Sequence, residues 1–547
     1  MTSPARRTAP GWSAFAGVVA GVVLVAAAEL LSLAFSSSSA PFVAVGGAFV
    51  DIVPGWLKDA VIGLFGTADK LILNLSMVAV YLTLTALIGL LGERRPLPAA
   101  GALAGLGLLA AALVLTRAQN TPADTLPTLA GTLLAVPLLL VLLRLVRTTP
   151  PATAATAATA DGISDDAVAP HDAGISDRAG APEDTRASAW SRRRALIGVG
   201  ALGVLAVIAA AGARSVTASR ELARRAAQFV LPAPARPADP IPADAQVELE
   251  GMGPFVTPNG DFYRIDTALA VPRVDPSTWE LTVHGLVERE LTLSFEELLA
   301  EEMIETHLTL ACVSNPVGGD LVGNATWLGL PVRTLLERAG VQDGADMVLS
   351  RSIDGFTAST PLEALTDARD SLIAVGMNGE PLPAEHGYPV RMVVPGLYGY
   401  VSATKWLTEL KVTRFADDTA YWSTRGWSER GPIKISSRVD VPRSFATLTA
   451  EADGAVMLGG TAWAQQRGIA TVEVRIDDGE WRAAELATTV NADTWVQWSL
   501  RWEDASPGDH SISVRAVGAD GEQQTEERAN PAPNGASGWH TIEFSVE

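Results

Sequence analysis

The sequence predicts a multi-domain chain: an N-terminal all-α membrane domain of about five spans, a central α+β domain and a C-terminal β-sandwich. Three observations predict it. Before about residue 213 the chain is dominated by Ala, Leu, Val and Gly in runs long enough to cross a bilayer, and after it the composition is that of an acidic globular protein. Between 245 and 435, strand-like alternation is interleaved with capped helical segments. From 436 onward, short alternating segments are separated by turn signals. A length of 547 residues also exceeds what a single core organises.

The predicted spans are 12–35, 71–92, 96–116, 126–146 and 195–212. The apolar stretch 42–66 carries Asp51, Pro54, Lys58 and Asp59, so it reads as an interfacial or partly re-entrant helix. Residues 1–147 therefore form a helical membrane domain of four spans plus that interfacial helix. Residues 148–193, rich in Ala, Thr and Asp, form a disordered cytoplasmic linker, and 194–213 the fifth span. Arg6–Arg7, Arg94–Arg95, Arg144 with Arg147, and Arg192–Arg194 fall on one side of this arrangement. The positive-inside rule then gives a multi-pass protein of the cytoplasmic membrane, with its N-terminus inside and everything after 213 outside. The run Ser191-Arg192-Arg193-Arg194 before an apolar segment reads either as a twin-arginine export signal or as the basic flank of an ordinary span. Glu29 is the one acidic residue inside a strong span, either snorkelling or helix-partnered, or part of a proton or ion site. No histidine precedes His171, so these spans lack the axial ligands a haem relay needs.

Residues 214–244 form a spacer, Pro/Ala-rich from Gln228 to Pro242. In the α+β domain, 245–435, the segment Trp279–Gly285 alternates like a strand, and Ser294 with Glu297 forms a capping box. Leu330–Gly340 reads as a helix with Pro near its start and Gly past its end. In 436–547, Thr471–Asp477 alternates into an Asp478-Gly479 turn. Val496, Trp498, Leu500 and Trp502 share one strand face, and Ser511–Arg515 alternates again. At about 110 residues this sandwich is immunoglobulin-like in size.

A net charge of −20 argues against a nucleic-acid partner. One cysteine excludes an internal disulfide framework, a Cys-rich zinc site and a cysteine-ligated iron–sulfur cluster. That cysteine ends an apolar strand in His307-Leu308-Thr309-Leu310-Ala311-Cys312-Val313-Ser314-Asn315. A Gly/Asn-rich loop (Gly318, Gly319, Asn324, then Trp327-Leu328-Gly329) and a helix are expected after it. Cys312 is either an inert small hydrophobe or a soft thiolate donor to a metal brought in from outside.

This order of residues resembles the sulfite-oxidase family of molybdopterin enzymes. Further blocks match in sequence over roughly 255–547: Phe262-Tyr263-Arg264-Ile265-Asp266, Met377-Asn378-Gly379, His386-Gly387-Tyr388-Pro389-Val390-Arg391, Lys405-Trp406, Ala462-Trp463 and Gly538-Trp539-His540. The resemblance implies that 245–435 is a sulfite-oxidase-like molybdopterin domain and the chain a molybdopterin-dependent oxidoreductase performing two-electron oxygen-atom transfer on a small-molecule oxo substrate. Cys312 would ligate molybdenum. His386, Arg391 and Lys405, with Ser402 and Thr404 nearby, would grip the pterin phosphate. Arg264, beside Phe262 and Tyr263, would sit over the metal and attract substrate. The C-terminal sandwich resembles one that pairs subunits, implying a homodimer.

Two departures bear on the substrate. Where sulfite-oxidising members carry a Tyr two residues before the Met-Asn-Gly block, this chain has Val375. The loop Gly399–Trp406 is one residue longer than the family's Gly-x-Arg-Ser-x-Lys-Trp and lacks its Arg. The expected substrate is therefore a sulfur or nitrogen oxo compound. Sulfite oxidation proper, or a degenerate binding or assembly module on the same scaffold, is the alternative. With neither haem nor iron–sulfur ligands, electrons require a separate redox partner or small carrier.

Overall fold

The computed structural model describes residues 10–35, 37–54, 69–117, 120–147, 230–503 and 505–547. The expected linker, the fifth span with its arginine run and the start of the spacer lie outside the described residues. The chain divides into two compact units, Met1–Val216 and Thr217–Glu547.

Within the first unit, helices α1 (Pro10–Leu31), α2 (Pro41–Ile52), α3 (Asp69–Arg94), α4 (Pro96–Leu115) and α5 (Leu126–Arg147) are described. Four stretches, Gly11–Ala34, Leu71–Arg94, Pro96–Leu115 and Pro122–Val146, are long and apolar enough to cross a membrane, matching the first four expected. Helix α1 packs on α3 and α5, and small residues permit it. A Cβ on Gly17 would lie 2.1 Å from the Thr85 carbonyl oxygen, and one on Gly131 2.4 Å from the Leu24 carbonyl oxygen. Without water to drive helices together, such close backbone approach supplies the contact. Tyr81 adds a cross-helix hydrogen bond to the Gly21 carbonyl (2.8 Å).

In the second unit, β1 (Glu280–Gly285), β2 (Leu291–Ser294), β5 (Met347–Ser352), β6 (Thr357–Pro361) and β10 (Leu407–Thr413) form a sheet ordered β2-β1-β10-β5-β6. A second sheet, β3-β4-β7-β8, comprises β3 (Ile304–Ala311), β4 (Val322–Pro331), β7 (Leu372–Met377) and β8 (Glu380–Pro381), with β9 (Arg391–Val393) on β7. The capping box opens α6 (Phe295–Leu299), with Ser294 Oγ accepting from Glu297 N. Helix α7 (Val332–Ala339) ends at left-handed Gly340, as the Pro/Gly punctuation requires. Its buried Leu335 and Leu336 enter a core shared with Leu281, Val283, Leu410 and Ile373 of both sheets.

One expectation near Cys312 is corrected. The loop after β3 leads into β4, not directly into a helix, so Trp327-Leu328-Gly329 lies on a strand antiparallel to β3. Most of β4 is buried, so the period-2 alternation that announces a half-exposed strand is missing. Gly329 is needed there, since a Cβ would lie 2.4 Å from the Ile373 carbonyl oxygen.

The C-terminal region is β-rich. One sheet is β11-β13-β17-β16: β11 (Ser436–Val441), β13 (Val456–Trp463), β16 (Glu485–Leu486) and β17 (Val496–Trp502). The other is β12-β19-β18-β14-β15: β12 (Thr447–Leu448), β14 (Ile469–Ile476), β15 (Arg482–Ala483), β18 (Gly508–Gly518) and β19 (His540–Val546). Leu458, Trp498, Val472, Val514 and Phe544 from both sheets meet in one apolar core.

Candidate active site

Cys312 follows β3 directly and is 8% exposed. Its backbone N–H donates to Leu321 O (2.9 Å) and its carbonyl accepts from Asn315 N (3.0 Å), while Asn315 Oδ1 accepts from Leu321 N (2.9 Å). These bonds close a tight loop. Gly318 has φ +77°, and a Cβ there would lie 2.1 Å from the His540 ring; at Gly319 it would lie 2.3 Å from Asn315 Oδ1. The loop is also held from β11, where Arg438 Nη1 donates to Gly319 O (2.8 Å). His540 in turn accepts from Val439 N (3.0 Å). The C-terminal region thus clamps the far side of the cysteine loop.

Cys312 lines a cleft whose open space, solvent at its mouth included, is about 880 Å³, together with Phe262, Tyr263, Asp266, His386, Arg391 and Lys405. Burial pushes the Cys312 thiol up, opposed by hydrogen bonds from Ser314. A bound metal cation reverses that preference, because it stabilises the thiolate.

Three basic residues converge here, each in a different electrostatic state. His386, 3% exposed, has Nε2 2.9 Å from the Asn259 carbonyl, which makes Nε2 the protonated nitrogen. Burial, with Arg391 nearby, lowers its pKa to about 4, so the ring is neutral. Lys405 donates to Asp266 (2.7 Å) and to Glu385 O (3.0 Å). Burial lowers it to about 8 despite the Asp266 carboxylate. Arg391 is 5% exposed and donates to the carbonyls of His386 (3.0 Å) and Met392 (3.3 Å), with its guanidinium 5.1 Å from the Trp327 ring centre. Burial lowers its pKa to about 10, which leaves it a cation at neutral pH. Among the described residues no carboxylate pairs with it. A buried guanidinium that meets only carbonyls and a ring has its charge free to pair with an anion.

Phe262 packs edge-on against Trp327 (5.9 Å) and His386 (5.7 Å) and stacks on Tyr263 (5.2 Å). Burial and Cys312 both raise the Tyr263 phenol, keeping it a neutral donor.

Not every expected residue reaches the cleft. Arg264 does not sit over it: its side chain is 39% exposed and pairs with Asp266 (2.9 Å), while Tyr263 and Ile265 make the wall. Asp266 is thus shared by Arg264 and Lys405. Ser402 and Thr404 do not line it either. The Ser402 hydroxyl donates to Tyr398 O (2.9 Å), and Thr404 Oγ1 is 2.7 Å from Ser350 Oγ, both inside the core. Val375 is 1% exposed within the apolar core, so its missing hydroxyl is not a feature of the cleft. Asn259 and Asp266, which orient His386 and Lys405, had no separate signal, although Asp266 lies inside the Phe262–Asp266 block. The aromatic residues Phe356, Tyr400, Trp422 and Trp427 also line the cleft, and nothing in their sequence positions groups them.

This donor set suits a molybdopterin: one thiol, one uncompensated buried cation and two further basic side chains. Among the described residues no group of three or more His, Cys, Asp or Glu could hold a metal alone, so a metal here depends on ligands that the cofactor brings.

The comparisons agree. Residues 268–422 match the oxidoreductase molybdopterin binding domain. An uncharacterized oxidoreductase of Bacillus subtilis, YuiH, is 36% identical over 157 residues, covering 29% of this chain and 76% of that protein. Sulfite oxidase of Gallus gallus is 31% identical over 293 residues (45% of this chain, 63% of that one). The mitochondrial sulfite oxidase of Drosophila melanogaster is 29% identical over 314 residues, 48% of this chain and 54% of that one. The chain thus spans less than two thirds of either sulfite oxidase. The chain belongs to the sulfite-oxidase family of molybdopterin-dependent oxidoreductases.

Proposed function

We propose that this oxidoreductase transfers an oxygen atom to or from a sulfur or nitrogen oxo compound. Cys312 is the protein ligand to molybdenum, and Arg391 is the principal grip on the pterin phosphate. The observation that carries this reading is the buried guanidinium of Arg391, without a carboxylate partner among the described residues, in the same cleft as the chain's one thiol. The cofactor, when bound, supplies the two-electron oxygen-atom-transfer chemistry. The chain's own residues bind and orient. Arg391 neutralises the anion, neutral His386 offers its free Nδ1 to a donor, and Lys405 is steadied by Asp266 at a charge state that changes near pH 8. Tyr263 is a half-buried neutral phenol close to Cys312, suited to hydrogen-bond an oxo group.

In this reading the chain is anchored in the cytoplasmic membrane with its catalytic unit outside. The four apolar helices and the arginine pattern support it. Domain limits of 1–147, 148–193, 194–213, 214–244, 245–435 and 436–547, an immunoglobulin-like C-terminal sandwich pairing two copies, and electron exchange with a separate partner complete the proposal. Sulfite oxidation proper is a second reading. It is favoured by the placement of Val375 in the core, which removes one sequence argument against it.

Metal analysis tests the reading. Protein made in a host that synthesises the cofactor should carry about one molybdenum per chain, and Cys312→Ser should lose it while remaining folded. Folded wild-type protein without molybdenum refutes it.

A further inference from the structure

One wall of the cleft is aromatic. Phe356 comes from the turn between β5 and β6, Tyr400 from the short helix Gly399–Ser402, and Trp422 and Trp427 from the segment after β10. The Tyr400 and Trp427 rings are 5.9 Å apart at 52°, and those of Trp422 and Trp427 6.2 Å apart at 76°. The wall is fixed in place, with the Tyr400 hydroxyl donating to Ser428 O at 2.7 Å. Both indole rings are half-buried, and among the described residues neither Trp422 Nε1 nor Trp427 Nε1 has a hydrogen-bond partner, so two neutral donors remain available.

Charge in the cleft points the same way. Its charged lining residues are Asp266, Asp354, Arg391 and Lys405. Lys405 pairs with Asp266 at 2.7 Å, a carboxylate also held by Arg264 from outside the lining at 2.9 Å, and Arg391 is committed to the cofactor anion. Asp354 is left, half-buried, accepting from Phe356 N (3.1 Å) and paired with no cation among the described residues. A substrate entering beside an uncompensated carboxylate and a wall of π faces meets repulsion if it is an oxyanion. It meets dispersion and weak donors if it is neutral and apolar-substituted, and ring faces attract the positive end of an S–O or N–O dipole.

We infer that this aromatic wall, with Asp354 at its edge, is a substrate subsite that selects neutral S-oxides or N-oxides bearing aryl or alkyl groups and rejects oxyanions such as sulfite. The inference rests on the reading that the cleft holds the molybdenum cofactor, with Arg391 occupied.

The test is calorimetric binding to the oxidised, molybdenum-loaded full chain without an electron donor, so that no turnover intervenes. The probes are methyl phenyl sulfoxide, N,N-dimethylaniline N-oxide and sulfate, which stands for the oxyanions because sulfite would itself reduce the oxidised protein. Wild type should bind one or both neutral probes at least about 10-fold more tightly than sulfate, the pair revealing whether sulfur or nitrogen is preferred. Trp427→Leu should weaken the preferred probe by about 10-fold, whereas Trp427→Phe, which keeps a ring, should lose less than about 3-fold. Asp354→Asn should tighten sulfate by about 5-fold or more. Equal binding of sulfate and the neutral probes, or a Trp427→Leu protein that retains molybdenum and wild-type affinity, overturns the inference. Trp422→Leu decides the matter in the same way if Trp427→Leu loses the metal. Wild-type chain that lacks molybdenum overturns the underlying reading instead, and is recognised before any probe is added.

Discussion

The two units solve the problem of burial in opposite ways. In the helical unit, contacts are made by removing side chains: Gly17, Gly89, Gly107 and Gly131 let helices approach until a single Cβ would collide with a carbonyl or a hydroxyl. In the other unit, large side chains fill the core around polar groups that stay buried at a cost, above all Arg391, Lys405 and His386. Desolvating an ionised group costs several kcal/mol unless it is paired. A cation kept buried without a carboxylate partner among the described residues therefore supports the cofactor assignment proposed for this cleft, and the described residues of the helical unit include no buried cation. Close packing, with a few polar links such as Tyr81 to the Gly21 carbonyl, holds the first unit together, and the second keeps a buried cation in its cleft.

The comparison can be broken most forcefully at Arg391. Replacing it with Met keeps apolar volume but removes the anion's partner. At about 1.5–3 kcal/mol for each charge-assisted hydrogen bond, cofactor retention should fall by at least 100-fold, read as molybdenum content after dialysis. Retention within a few-fold of wild type would make Arg391 a structural cation. Next comes the helical unit. A Cβ on Gly89 meets the Ser13 carbonyl oxygen at 2.1 Å, so Gly89→Leu should force α1 and α3 apart at a cost of about 1–3 kcal/mol or more. A lower melting midpoint of the helical unit in detergent, with molybdenum content unchanged, is the expected result; loss of both would join units that the comparison separates.

The smallest effect is on acid stability. Burial, and Arg438 beside it, lower the His540 pKa from 6.5 to about 4. A histidine whose folded value lies below its unfolded value is held neutral, so its contribution is fully present above pH 6.5 and is lost as pH falls towards 4. At about 1.4 kcal/mol per pH unit, and allowing for partial exposure, this amounts to about 2 kcal/mol. His540→Gln should flatten denaturant-unfolding midpoints of the second unit over that window. An unaltered acid limb would assign the loss to other groups, of which His386 is the first.

Much of this was legible in the residues. The first four apolar runs matched the helices because twenty consecutive apolar residues have few other uses. That Cys312, His386, Arg391 and Lys405 belong to one cleft was legible because each sits within a short block whose spacing constrains it. What was not legible has physical causes. Ser402 and Thr404 share a loop with Lys405, but in so tight a segment alternate side chains turn inward, and hydroxyls find carbonyls more readily than charges do. Val375 lies on a strand buried on both faces, where no alternation tells which side meets the cleft. Arg264 reads as a cation near the metal, yet its side chain stays 39% exposed and only its Nε reaches the buried Asp266 carboxylate. The aromatic wall comes from three separate segments, and only the folded chain brings it together.

The clamp on the cysteine loop has one more consequence. Arg438 and His540 lie well over a hundred residues downstream of Cys312, in a region that supplies no side chain to the cleft, yet they support the turn that presents the sulfur. Any graft of the cofactor-binding portion onto a foreign C-terminus must therefore reproduce that guanidinium and that imidazole. Otherwise the transplanted thiol arrives on a backbone free to drift.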